Sequence, residues 1–323
     1  MATWMAPRLP IVIGHRGAPA HRLEHTLASY VLAAHLGADY LEPDLVATAD
    51  GVLVARHEPE LGTTTDIASR PEFADRRTTR EIDGQMCTGW FVDDLTLAEL
   101  RTLRAVERIP ALRPANTRFD GHFTVATFAE ILDLRARLSA ELGRSIGVYP
   151  ETKNPRYFAD RGVALEPTLV DALRGAGLDH PDAPVFVQSF DPASLWMLRM
   201  DLQVPLVQLV DDDTPHLVVP ENLASIAEYG DVVGVHKSLV IPRTEPGSLG
   251  APGPLVDDAH AVGLAVHAFT FRDETAFLPV GCDGAAECVA FLAAGVDGLF
   301  ADHPDTAVSA RDHSGRHTTR LSS

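Results

Sequence analysis

Two pairs of polar residues, each spaced two apart, close aliphatic runs: Glu42 and Asp44 in YLEPDLVAT (40–48), Glu151 and Lys153 in SIGVYPETK (145–153). In an extended strand that spacing points both side chains to one side. His15-Arg16 sits in IVIGHRG (11–17), and His57 follows GVLVAR. Gln188 and Phe190 end PVFVQSF (184–190), and His236-Lys237 end DVVGVHK (231–237). His267 and Phe269 lie in LAVHAFTF (264–271), and Asp302 lies in GLFADHP (298–304). Taken singly, a histidine at a strand end is usually a hydrogen-bonded structural residue, and Glu-x-Asp a solvated edge. Gathered at one rim, the carboxylates, histidines, arginine and lysine would bury so much unpaired charge that a cation or an anionic ligand is required. Three carboxylates without thiolates, Glu42, Asp44 and Glu151, suit one hard divalent cation, Ca²⁺ or Mg²⁺, over Zn²⁺. Arg16 and Lys153 suit the non-bridging oxygens of a phosphate. His15 and His57 suit a base and an acid for nucleophile and leaving group. Gln188, Lys237 and Phe269 complete the set as substrate contacts. A glycosidase would use the carboxylates but has little need of the Arg, the Lys and two flanking histidines.

The elements that must carry these residues recur along the chain. The runs above, with PLVQLVD (205–211), number eight, and helical patterns such as 27–36, 166–176 and 220–229 separate most of them. Near-continuous apolar strands alternating with helices indicate a parallel sheet covered on both faces. Eight such units favour a closed (β/α)8 TIM barrel over the alternative, an open doubly wound sheet. A further strand is expected at 52–56, and the next long helix at 127–142. The connection between them exceeds an ordinary loop. It holds Trp90-Phe91, a helical pattern at 96–105 and the Pro-rich IPALRPANTRFDG, and reads as an inserted cap over about 59–120 after strand two. The domain is expected to run from 8 to 310, with a flexible C-terminal tail at 311–323.

The 323 residues are 46% hydrophobic and 22% charged, which excludes wholesale disorder. A net charge of −18 argues against a nucleic-acid partner but not against a small anionic substrate in a locally cationic cleft. No apolar run is long enough for a membrane span, so integral membrane association is not expected. The sequence as given reads as cytoplasmic, or as periplasmic or secreted if a signal peptide has been trimmed. Cys87, Cys282 and Cys288 make no disulfide scaffold, although Cys282 and Cys288 are near enough in sequence to pair. A monomer or homodimer is expected.

The stretch GHRGAPAHRLEHTLASYVLAAHLGADYLEPDLVATADGVLVARHEPEL resembles the signature region of glycerophosphodiester phosphodiesterases. The likeness continues in DGQMCTGWFVDDLTLAEL, GVYPETKNPRYF, VFVQSFD and HAFTFRDETAFLP, and covers roughly 11–304. The longer insertion and the last of these stretches are most similar to the branch that includes periplasmic bacterial enzymes. The resemblance implies a barrel capped after strand two, and metal ligands at Glu42, Asp44 and Glu151. It implies acid–base roles for His15 and His57 and phosphate contacts from Arg16 and Lys153. The implied reaction consumes glycerophosphodiesters such as glycerophosphocholine or glycerophosphoethanolamine with Ca²⁺ or Mg²⁺, and releases glycerol 3-phosphate and an alcohol. A related barrel acting on lysophospholipid or polyglycerophosphate, and a phosphate-ester binder without turnover, are the rivals. The sequence departs from many relatives at Phe269, where they carry Trp, and at His236 before Lys237.

Overall fold

The structure, a computed structural model, describes residues 9–245 and 247–321, and the side chains of 315–321 are not described. The expected start of the domain at residue 8 and the last two residues of the expected tail lie outside that range. Among the described residues thirteen strands occur in chain order: β1 (Ile11–His15), β2 (Tyr40–Glu42), β3 (Asp44–Ala47), β4 (Leu53–Ala55), β5 (Thr78–Ile82), β6 (Gln85–Gly89), β7 (Gly147–Val148), β8 (Glu151–Thr152), β9 (Val187–Ser189), β10 (Leu206–Val210), β11 (Val232–His236), β12 (Ala265–Phe271) and β13 (Gly298–Ala301). The helices are α1 (Leu27–His35), α2 (Leu97–Leu100), α3 (Phe128–Leu142), α4 (Pro155–Asp160), α5 (Leu165–Gly175), α6 (Pro192–Asp201), α7 (Pro220–Ile226), α8 (Leu255–Ala261), α9 (Gly284–Ala293) and α10 (Pro304–Leu321).

Eight parallel strands close on themselves. Proline divides two of them without breaking the ladder, since a proline lacks only the donor. Pro43 separates β2 from β3, yet its carbonyl accepts from Glu151 N at 2.9 Å, between the bonds Tyr149 N to Leu41 O (2.8 Å) and Lys153 N to Leu45 O (3.1 Å). Pro150 separates β7 from β8, and its carbonyl accepts from Gln188 N at 2.9 Å. The ladder continues from β9 through β10, β11, β12 and β13 to β1 and back to β2. The pairing of β1 with β13 closes the (β/α)8 barrel and removes the doubly wound alternative.

Alternation along each strand sorts the core into two layers. Ile11, Ile13, Tyr149, Phe186, Val207, Leu209, Val232, Ala265 and Phe300 fill the lumen. Val12, Leu41, Leu45, Val148, Val187, Leu206, Val210, Val266 and Leu299 face the helices. The lumen below the rim is therefore a dry aromatic plug, with Tyr149 stacked on Phe186 at 4.9 Å between centroids. A polar residue one step beyond the plug must emerge on its top surface.

The expected strand at 52–56 is β4, antiparallel to β3. The expected helix at 127–142 is α3, with Thr127 as N-cap and a capping box to Glu130. The connection between β4 and α3 carries the antiparallel hairpin β5–β6 and short 3-10 turns. Its Ile67, Phe73, Val92, Leu95, Leu100 and Leu103 join the core that lies between barrel and helices. Phe91 is fully buried, and Trp90 donates from Nε1 to Phe73 O at 2.7 Å. The helix expected at 96–105 is only the single turn α2. Its capping box starts it, but Thr102 Oγ1 bonds back to Glu99 O and Ala105 must leave the axis to pair with Thr65. The described part of the expected tail continues α10, which runs to Leu321. Buried Ala307 and Ala310 and the ion pair of Arg311 with Asp39 at 2.6 Å hold the first half of α10 against the barrel. No helix of the described residues is long and apolar enough to cross a membrane. The three cysteines are free thiols.

Candidate active site

Beyond the plug, the strand period delivers the rim. Ile11 and Ile13 face the lumen, so His15 does too, and Phe300 is followed in the same way by Asp302. All ten residues given a site role in the sequence, His15, Arg16, Glu42, Asp44, His57, Glu151, Lys153, Gln188, Lys237 and Phe269, line one cavity of about 950 Å³ at the carboxyl ends of the strands, whereas His267 is buried in the lumen below it.

Glu42, Asp44 and Glu151 are buried and offer one oxygen each within 4.8 Å of one another. Arg16 N donates to Glu42 Oε2 at 2.7 Å, and Gln188 Nε2 donates to Glu42 Oε1 at 3.0 Å. The turn that aims this amide is tight: Arg16 lies at φ 55° and Gly17 at φ 97°. A Cβ on Gly17 would sit 2.5 Å from Ser29 Oγ, so only glycine lets the turn pack on α1. Asp44 accepts from His25 Nε2 at 2.9 Å, and Lys153 Nζ lies 3.6 Å from it and 2.7 Å from Glu151. Burial and the neighbouring carboxylates push the Glu42 carboxyl well above its ordinary range. Burial, opposed by Lys153 and reinforced by Asp44, raises Glu151 to about 8. Against the same burial, Lys153 and the His25 hydrogen bond hold Asp44 well below the usual carboxylate range. Crowding raises two of the three carboxyls, Glu42 and Glu151, and a triad built only of oxygen donors fits a hard divalent cation that would relieve it.

The two histidines are held alike. His15 Nδ1 lies 2.6 Å from Asp302 Oδ1, and His57 Nδ1 lies 2.6 Å from Glu58 Oε1. Ionised carboxylates accept, so both Nδ1 atoms carry the proton and both Nε2 atoms keep a lone pair. Burial, together with Arg16, lowers His15 to about 4. Burial, Arg16 and Lys153 lower His57 to about 3, so both rings are neutral at pH 7.

The far wall differs. Lys237 Nζ is committed to the buried Glu287 at 2.7 Å, across from Phe271. Phe269 packs edge-on to Phe190 and His236 at 6.1 and 6.0 Å. Asp211, Asp212 and His236 form a second cluster there, but both aspartates are exposed. Leu217, Ile241 and Leu249 add apolar surface.

Reading strand ends did not single out His25, Glu24, Glu58, Arg108, Arg113 and Arg272, and it gave Asp302 no role. His25 stands in the β1–α1 loop, and Arg108 and Arg113 in the long connection. A strand-end rule cannot reach them. The signals in the sequence were stretches quoted above: the signature region contains Glu24, His25 and Glu58, IPALRPANTRFDG contains Arg113, and HAFTFRDETAFLP contains Arg272.

The fold is that of a known enzyme class. A putative glycerophosphoryl diester phosphodiesterase from Silicibacter pomeroyi superposes with TM-score 0.71 at 24% identity, covering 96% of this chain and 95% of that one. A phosphodiesterase from Oleispira antarctica, solved with its product sn-glycerol-3-phosphate, gives 0.66 at 21% identity over 94% and 97%. A glycerophosphodiester phosphodiesterase of Arabidopsis thaliana is 33% identical over 91% of this chain and 83% of its own length. One from Haemophilus influenzae is 28% identical over 92% and 88%. The pattern of the glycerophosphoryl diester phosphodiesterase family matches residues 15–306. The chain belongs to that family.

Proposed function

We propose that the protein hydrolyses glycerophosphodiesters, such as glycerophosphocholine or glycerophosphoethanolamine, to glycerol 3-phosphate and an alcohol, using one divalent cation, Ca²⁺ or Mg²⁺. The observation that carries this reading is the buried Glu42–Asp44–Glu151 triad in the same cavity as two histidines with carboxylate-held Nδ1 atoms. Names of relatives over nearly the whole chain support the same substrate class. Bound to the triad, the cation supplies Lewis acidity and charge neutralisation to a phosphate oxygen. Arg16 and Lys153 hold the phosphate and stabilise charge that develops on it. Gln188 keeps Glu42 in place, while Phe269 and Lys237 face the substituent side.

His15 Nε2 takes the proton of the nucleophile as its oxygen bonds to phosphorus. His57 keeps its Nδ1–H on Glu58, takes up a second proton from solvent on Nε2 as the anionic diester binds, and gives that proton to the alcohol oxygen as the phosphorus–oxygen bond breaks. The anionic diester adds negative charge beside His57 and offsets the Arg16 and Lys153 field that keeps the ring neutral. The nucleophile is water, or the glycerol 2-hydroxyl with a cyclic phosphate opened later. Incorporation of labelled water against trapping of the cyclic product separates the two routes. A His15→Ala, His57→Ala double variant is expected to lose turnover by a factor on the order of 10⁴ while still binding the cation. Full activity in that variant would remove both histidines from the reaction.

A further inference from the structure

Arg108 and Arg113 come from one stretch of the β4–α3 connection, RIPALR (108–113), and end on the two carboxylates that hold the histidines. Arg108 grips Glu58 through Nη1 and Nη2 at 2.7 and 2.8 Å, and Glu24 through Nε and Nη2 at 2.6 and 2.7 Å. Arg113 donates from Nη2 to Asp302 Oδ2 and from Nε to Glu274 Oε1, both at 2.5 Å. Arg113 is buried, and Asp302 also accepts from Arg272 Nε at 3.0 Å. The stretch is itself fastened to the barrel top, since Asn116 donates to Pro19 O at 2.8 Å and to Glu107 at 3.0 Å.

We infer that Arg108 and Arg113 are positioning residues for the reaction, Arg108 holding His57 through Glu58 and Arg113 holding His15 through Asp302. A neutral imidazole carries its single proton on either nitrogen, and only the Nδ1–H form leaves Nε2 facing the cavity as an acceptor. A carboxylate selects that form only if its own plane is fixed. Arg108 fixes the Glu58 plane through two parallel donors, and the Arg113 fork ties Asp302 to Glu274 with one donor on each while Arg272 adds a second donor to Asp302; the point charge of a lysine can do neither. The inserted connection thus sets acid and base from a single short stretch, though the two share no carboxylate. If the arginines merely pinned the connection to the barrel, their loss would slow all substrates alike.

This inference rests on the reading of His57 as acid and His15 as base, and leaving-group dependence separates the two. Arg108→Lys and Arg113→Lys keep the charge and remove the fork, and thermal melting and cation titration confirm that each variant is folded. Two diesters are compared: glycerophosphoethanolamine, whose alkoxide needs a proton, and glycerol 3-phosphate p-nitrophenyl ester, whose phenolate does not. Arg108→Lys is expected to lower kcat on the ethanolamine diester by a factor on the order of 10², and by less than tenfold on the nitrophenyl ester. Arg113→Lys is expected to lower both by similar factors. The reverse pattern would support the orienting chains and exchange the histidines' roles. Unchanged kcat in both variants, or equal loss on both esters in each of the two variants, would overturn the inference. A wild type that turns over neither ester would defeat the phosphodiesterase reading instead. Histidine ¹⁵N spectra test the positioning regardless: the wild-type rings should be protonated on Nδ1 and the variants mixed, and unchanged tautomers in the variants would overturn it.

Discussion

Lys153 lies between two of the triad carboxylates, 2.7 Å from Glu151 and 3.6 Å from Asp44. Two roles meet in it: neutralising a crowded anionic rim and stabilising charge on the phosphate. Lys153→Met separates them. We expect kcat/KM to fall by a factor on the order of 10²–10³. Cation affinity should be read at pH 9, above the value of about 8 for Glu151, so that protons do not compete. There the variant should bind the cation at least as tightly as wild type, because a nearby positive charge has gone. Unchanged kcat with tighter binding would reduce Lys153 to a neutralising role. The residue types that define this rim were legible in the sequence because Glu42 and Asp44, and Glu151 and Lys153, sit two apart on strands, and His15-Arg16 and His57 follow aliphatic runs. Their partners were not. Glu24, Glu58, Arg108 and Arg113 meet only when loops far apart in the chain converge, with Arg113 and Asp302 separated by 189 positions. The pairing of Lys237 with Glu287 was hidden for the same reason, since α9 brings the acid to it.

The β1–α1 turn shows how an element sets the site. Arg16 N reaches Glu42 only because the chain turns at Gly17, whose φ of 97° and contact with Ser29 exclude a side chain. Gly17→Ala is expected to cost about 2 kcal/mol or more in urea unfolding. It should also weaken cation binding, since the amide that fixes Glu42 moves; full cation affinity would show that the turn does not position the ligand. The period-2 alternation of the barrel strands and the capping residues of α3 were readable, because both are local patterns. The length of α2 was not: its helical pattern persists past Leu100, but the pairing of Ala105 with Thr65 takes the chain off the axis. The anchoring of α10 was not readable either, because Arg311 meets Asp39 from 272 positions away.

Taken as a whole, the molecule buries histidines in their neutral form. His267, fully buried in the lumen, is lowered to about 3 by burial. His15 at about 4, His57 at about 3 and His25, also lowered, follow the same cause. An unfolded chain binds these protons near pH 6.5, and the folded chain refuses them until much lower. The histidines' contribution to stability is therefore complete above about 6.5 and is lost as pH falls toward the folded values, while the raised Glu42 and Glu151 carboxyls act in the opposite direction. Asp302 and Asp44, held well below the usual range, act in the same direction as the histidines at still lower pH. Calorimetry should show Tm declining steadily from pH 6.5 to 4, and a flat Tm across that interval would contradict the burial of neutral rings.

The closed barrel, the acidic triad and the paired histidines make sense together only if a cation on Glu42, Asp44 and Glu151 is needed for cleavage between the phosphate and the alcohol. The most direct measurement is release of glycerol 3-phosphate from glycerophosphoethanolamine by chelator-stripped protein, before and after adding Ca²⁺ or Mg²⁺. The account predicts no release from the stripped protein, and glycerol 3-phosphate with ethanolamine once either ion is restored. Undiminished release at zero metal content, or phosphoethanolamine as the product, would contradict it.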